Sequence, residues 1–179
     1  MGLKPMRGES VDIEKLVAEH HQAVYRYAYR LCGSVDEAED LTQQVFLIAQ
    51  QKLGQLRDPA SALAWLFAIL RRAFQDGRGR RRPITLGDQE LDVESIPAEP
   101  VTAGDIDRQQ LQRALDALPE HHRLVLAMFY YEDLSYRQIA ERLAIPVGTV
   151  MSRLARAKAQ LRRSLFSSLI ERGAATKRG

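Results

Sequence analysis

The chain has 179 residues, 45% of them hydrophobic and 27% charged, with a formal net charge of +3. That length allows one large or two small domains with a real core, and the charged fraction suits a soluble protein. The lone Cys32 excludes an internal disulfide, no Cys/His cluster has zinc spacing, and no apolar run is long enough to span a bilayer.

The opening MGLKPMRGES has no signal-peptide core, so a cytoplasmic protein is expected. After a tail over residues 1–13, Leu16, His20, Val24, Tyr27 and Leu31 recur with helical period, and Gly33 ends that helix. Ser34 to Glu37 (SVDE) has the spacing of a capping box and launches a second helix with Ala38, Leu41, Val45, Ile48 and Ala49 inward. Its other side shows Asp36, Asp40, Gln43, Gln44, Leu47 and Gln51, which is either solvated or a docking surface. Asp58 is placed to cap a third helix, with Pro59 at its first position and Gly77 as its stop. Leu63, Leu66, Phe67, Leu70 and Phe74 form the apolar face of that helix, while Trp65 and Ile69 lie outside it. The run Arg78, Arg80, Arg81 and Arg82 follows directly. Aromatic rings beside a basic run suit single-stranded nucleic acid, because bases stack on rings and phosphates follow charge.

Residues 83–106 contain Pro, Gly, Thr and the acids Asp88, Glu90, Asp92, Glu94, Glu99 and Asp105, with neither Lys nor Arg, and read as a flexible acidic linker. The block 107–167 begins with a helix up to Leu118, breaks at Pro119, and continues in a very apolar helix through Tyr131. Ser135 and Gln138 then have capping-box spacing ahead of Ile139, Ala140 and Leu143, and Pro146 is expected to stop that short helix. In the helix that follows, VGTVMSRLARAKAQLRR, the residues Val150, Leu154, Ala157, Leu161 and Leu165 share a core-facing side. Gly148, Ser152, Ala155, Arg156, Ala159 and Arg163 lie opposite, flanked by Met151 and Arg153. A short helix, a tight break and a basic second helix make a helix-turn-helix, whose second helix enters the major groove. Arg153 and Arg156 are suited to guanine edges or phosphates, and Thr149 and Ser152 to either. Nothing shows strand alternation. The expected fold is all-α: two small helical domains joined by the acidic linker, the second ending in the helix-turn-helix, with a tail at 168–179.

These residues resemble those of bacterial RNA polymerase sigma factors of the extracytoplasmic-function (ECF) class. DEAEDLTQQVFLIAQ resembles the polymerase-binding helix, SALAWLFAILRRAFQDGRGRRR the promoter-melting and minus-ten segment, and LPEHHRLVLAMFYYEDLSYRQIAERLAIPVGTVMSRLARAKAQLR the minus-thirty-five domain. The resemblance covers nearly all of residues 14–166 except the linker, and makes 14–82 region 2-like and 107–167 region 4-like. It implies that Asp36, Asp40, Gln43, Gln44 and Leu47 face the clamp helices of the largest polymerase subunit. It further implies that Ser61, Trp65, Arg71, Arg72, Arg78, Arg80, Arg81 and Arg82 meet the minus-ten strand. Thr149, Met151, Ser152, Arg153, Arg156 and Lys158 would meet the minus-thirty-five element.

Several positions depart from the family pattern: Gln44 for Glu, Gln50 for Trp, Ala62 for an aromatic, Arg72 for Asn, and Met151 for Arg or Lys. Promoter sequence therefore does not transfer. The implied partners are core RNA polymerase, promoter DNA and an anti-sigma factor. No cofactor or metal is expected, and no nucleophile or general-base constellation is visible, so a non-enzyme is expected. The alternatives are a stand-alone helix-turn-helix repressor or activator, which binds duplex tightly by itself, and a regulator whose basic surfaces bind acidic proteins.

Overall fold

A computed structural model describes residues 12–79 and 107–176, with the backbone alone at 78–79 and 167–176. The described residues are helical throughout their regular elements: α1 (Ile13–Cys32), α2 (Val35–Gln51), α3 (Ala62–Gly79), α4 (Arg108–Asp116), α5 (Glu120–Tyr131), α6 (Tyr136–Leu143) and α7 (Val147–Thr176). They cluster into two compact units, α1–α3 and α4–α7, with the corner Arg30–Val35 grouped into the second. The linker 83–106, Arg80, Arg81, Arg82 and the side chain of Arg78 lie outside the described residues.

On α1 Leu16, Val24, Tyr27 and Leu31 are buried as their period requires, and His20 sits at the core edge. Gly33, at φ +77, supplies the left-handed residue that ends α1. On α2 Ala38, Leu41, Val45 and Ala49 are buried as expected and are joined by Phe46 and Thr42, while Ile48 is only half-buried, and the Thr42 hydroxyl donates to the Ala38 carbonyl at 2.7 Å. That bond inside the helix satisfies the buried polar group without a partner from elsewhere. Phe67 of α3 meets the edge of Tyr27 at 4.9 Å between ring centroids, joining α3 to α1. His21 stacks on Phe46 at 6.0 Å, joining α1 to α2. Asp58 caps as expected, accepting from the Ala60 amide at 3.0 Å and from the Ser61 hydroxyl at 2.9 Å, with one 3-10 turn, Pro59–Ser61, ahead of α3. Gly77 does not stop the helix, which continues to Gly79. A single helical glycine costs only about 1 kcal/mol, and nothing forces Gly77 to positive φ.

In the second unit α5 is the centre, buried from His122 through Met128. Asp107 caps α4. Asp116 at the end of α4 accepts from Gln112 at 2.9 Å and from Arg123 of α5 at 3.1 Å, which fixes the α4–α5 corner. Arg142 of α6 meets Glu132 at 3.1 Å, tying α6 to the segment after α5. The α6 capping box forms: the Ser135 hydroxyl accepts from the Gln138 amide, and the Gln138 side chain accepts from the Ser135 amide. The end of α6 corrects the expectation for Pro146. Ala144 adopts the left-handed conformation at φ 53, the Ile145 amide donates to Ala140 and the Ala144 amide to Glu141. This is a Schellman turn, so the helix is over before the proline is reached. The carbonyl of Pro146 instead starts α7, accepting from the amides of Thr149 and Val150. Val150, Leu154, Ala157 and Leu165 anchor α7 on the core. The helix runs on to Thr176, through most of the segment 168–179 expected as a tail.

Candidate polymerase and nucleic-acid interfaces

Packing of one side of α7 leaves its other side to face outward. Met151, Ala155 and Arg163 are exposed there, and Thr149, Ser152, Arg153 and Arg156 are half-buried. The Ser152 hydroxyl donates to the Thr149 carbonyl at 3.0 Å, leaving its oxygen lone pairs as acceptors. Arg153 lies on the flank with its Nε buried. Lys158 has partners on α5 that its own helix does not announce. Its ammonium sits over the rings of Phe129, at 4.8 Å, and Tyr130, at 5.6 Å, in a cation–π contact with α5.

On α2 all of the expected docking residues, Asp36, Asp40, Gln43, Gln44 and Leu47, are exposed, and Leu47 leaves 54% of its surface in solvent. An exposed leucine among carboxylates and amides makes a mixed apolar and acidic face. Beside it runs a cleft of about 350 Å³, lined by Ile13, Val17, His21 and Tyr25 of α1 and by Phe46 and Leu47 of α2. The sequence reading missed this cleft. Its signal was the i, i+4 row of Ile13, Val17, His21 and Tyr25, which runs alongside the core row of α1.

The expected minus-ten residues separate by environment. Trp65 is half-buried and Arg72 exposed, and their seven-residue spacing puts them on one side of α3. Ser61 is exposed but engaged with Asp58. Arg71 is only 7% exposed, in the row of Phe67 and Phe74, and so packs with the unit instead of standing open beside Arg72. No described helix is long and apolar enough to cross a membrane.

The sigma-70 region 2 family matches residues 16–83, the unit of α1–α3, and the sigma-70 region 4 family matches residues 108–161, from α4 into α7. The chain is 37% identical over 161 residues to the ECF RNA polymerase sigma factor SigL of Mycobacterium tuberculosis, covering 88% of this chain and 90% of SigL. The chain belongs to the ECF sigma factors. A second relative, the ECF sigma factor SigE of Mycolicibacterium smegmatis, is 36% identical over 154 residues and covers 83% of this chain, which spans 60% of SigE. The fold is similar to that of the sigma factor RpoE of Bartonella quintana, solved with the anti-sigma factor NepR: the TM-score is 0.63 at 27% identity, covering 86% of this chain and 96% of RpoE. As an ECF sigma factor, the chain is a transcription initiation factor, with α1–α3 as its region 2 and α4–α7 as its region 4.

Proposed function

We propose that this sigma factor binds core RNA polymerase, directs it to specific promoters and assists opening of the duplex through three separate surfaces. The face of α2 with Asp36, Asp40, Gln43, Gln44 and Leu47 docks on core polymerase, a cationic and apolar partner surface being complementary to it. Trp65 and Arg72, with Ser61 and the run Arg78, Arg80, Arg81 and Arg82, hold the minus-ten strand once it is single. Melting costs stacking and pairing energy, and rings and cations that catch unpaired bases offset it. Arg71 acts behind them as a packing residue of α3.

The outer side of α7 holds the minus-thirty-five duplex through Thr149, Met151, Ser152, Arg153 and Arg156, with Lys158 supporting α7 from its seat on α5. The observation that carries this reading is charge: from Val147 to Phe166 the helix has Arg153, Arg156, Lys158, Arg162 and Arg163 and no acid. Such a surface attracts a polyanion and releases its counterions. The acidic linker, 83–106, lets the two DNA contacts add through effective concentration. An anti-sigma factor restrains the protein, as the complex of RpoE with NepR suggests by likeness. The protein works in the cytoplasm, by binding and not by bond-making.

Run-off transcription with purified core polymerase on genomic promoter fragments tests this directly. The expected result is a discrete transcript that appears only when the protein is added. Tight duplex binding by the protein alone, with no transcript, would establish the repressor reading in its place.

A further inference from the structure

The exposed side of α7 carries two different rows. One is polar and cationic, with Ser152 and Arg156 one turn apart. The other is apolar: Val147, Met151 and Ala155 follow one another at i, i+4 and i+8, so they stack along one line of the helix surface. Val147 leaves 41% of its surface in solvent, Met151 leaves 52%, and Ala155 is exposed as well. The half of the Met151 side chain that is left in water gains nothing from packing on its own domain. Its neighbours identify what it meets. With five cations and no acid along the same helix from Val147 to Phe166, the surface that approaches is anionic.

In the major groove the one apolar group on a base edge is the C5-methyl of thymine. An apolar side chain gains contact area against that methyl. Against guanine or cytosine it leaves hydrogen-bonding edges desolvated and unpaired, which is unfavourable. We infer that Met151, supported by Val147 and Ala155, is a specificity-determining residue that selects a thymine in the minus-thirty-five element by contact with its methyl group. This rests on the assignment of α7 to the minus-thirty-five duplex and adds the class of base pair that it chooses. Arg156 on the neighbouring row reads separately, so a T·A pair chosen by Met151 stands close to a position governed by arginine.

The test uses holoenzyme reconstituted with core polymerase. A duplex library randomised across the upstream element is first enriched by the wild-type holoenzyme. Each thymine of the enriched element is then replaced by deoxyuridine, which keeps base pairing and removes only the methyl. Wild-type holoenzyme should lose about fourfold in affinity at one or more of these thymines, as expected for loss of one buried methyl contact. Met151→Ala holoenzyme should bind more weakly than wild type and lose nothing further at that thymine. Because Met151 is exposed, the variant keeps its fold, which circular dichroism verifies. An enriched element insensitive to every deoxyuridine, or a Met151→Ala protein as sensitive as wild type, overturns the methyl contact and leaves the duplex assignment standing. If no upstream element is enriched and footprinting shows no upstream protection, the assignment of α7 falls, and this inference with it.

Discussion

Arg156 and Ala144 are two residues on which the second unit can be tested most simply. Arg156 lies on the outer side of α7, one turn after Ser152 and opposite the anchoring Val150 and Leu154. If its guanidinium bonds a base edge in bidentate fashion, Arg156→Ala should weaken minus-thirty-five binding by about 1–3 kcal/mol. Footprinting of the holoenzyme reads this as fading upstream protection, and unchanged protection would remove Arg156 from the contacts. Ala144 holds a left-handed conformation, φ 53, that costs a residue with a Cβ but is free to glycine. Ala144→Gly should raise the unfolding free energy by about 0.5–1 kcal/mol, after the added flexibility of the unfolded chain is subtracted. The readout is a higher urea midpoint at constant slope, with promoter binding unaffected. A lower midpoint would mean that the methyl of Ala144 packs to more effect than its backbone is strained.

At the scale of single helices, α2 and α6 show how local sequence prepares a surface. α2 buries Leu41 and Val45 and thereby turns Asp40 to solvent, so that a change at Asp40 leaves the core untouched. Asp40→Arg reverses the charge of the proposed docking face and should reduce affinity for core polymerase while the far-ultraviolet circular dichroism stays the same. Equal native-gel affinity would return that face to solvent. α6 is only eight residues long, from Tyr136 to Leu143, too short to be stable without caps and packing. Ser135→Ala removes the hydroxyl that receives the Gln138 amide and should cost about 1 kcal/mol. Thermal melts of the Ser135→Ala and Gln138→Ala single and double variants should show losses that do not add, since the two side chains form one reciprocal cap.

The whole molecule explains why a sigma factor of this size should depend on polymerase. Its described residues present one helix-turn-helix, where repressors of this type present two to a palindromic site. A single module with a few cations binds duplex mainly through phosphates, weakly and with strong dependence on salt. The isolated protein should therefore give only salt-sensitive, sequence-indifferent gel shifts. Addition of core polymerase should produce specific binding and upstream protection at the same protein concentration. Tight, specific binding by the protein without core would contradict this and favour a repressor.

The all-α class, the order of the helices, the core rows of α1, α2, α3 and α7, and the caps at Asp58 and Ser135 were legible in the chain itself. Their causes are local: a period of 3.6 residues marks a buried side, and a cap needs only a side chain and an amide two or three residues on. The helix-turn-helix was legible for the same reason. The end of α6 was not, because the expected break at Pro146 overlooked an alanine in the left-handed region, which composition does not announce. Nor did the basic run beyond Gly77 reveal that α3 continues, since one glycine is a weak stop once the helix is packed. Which cations stand open depends both on the helix period and on what the helices pack against. Arg71 and Arg72 are neighbours in sequence, yet a rotation of 100° per residue puts one inside and the other outside. Lys158 turned to Phe129 and Tyr130 because α5 crosses α7 at that level. The cleft between α1 and α2 likewise exists only where two helices meet. A helix's own period gives the direction of each side chain, whereas what lies in that direction depends on how the helices cross.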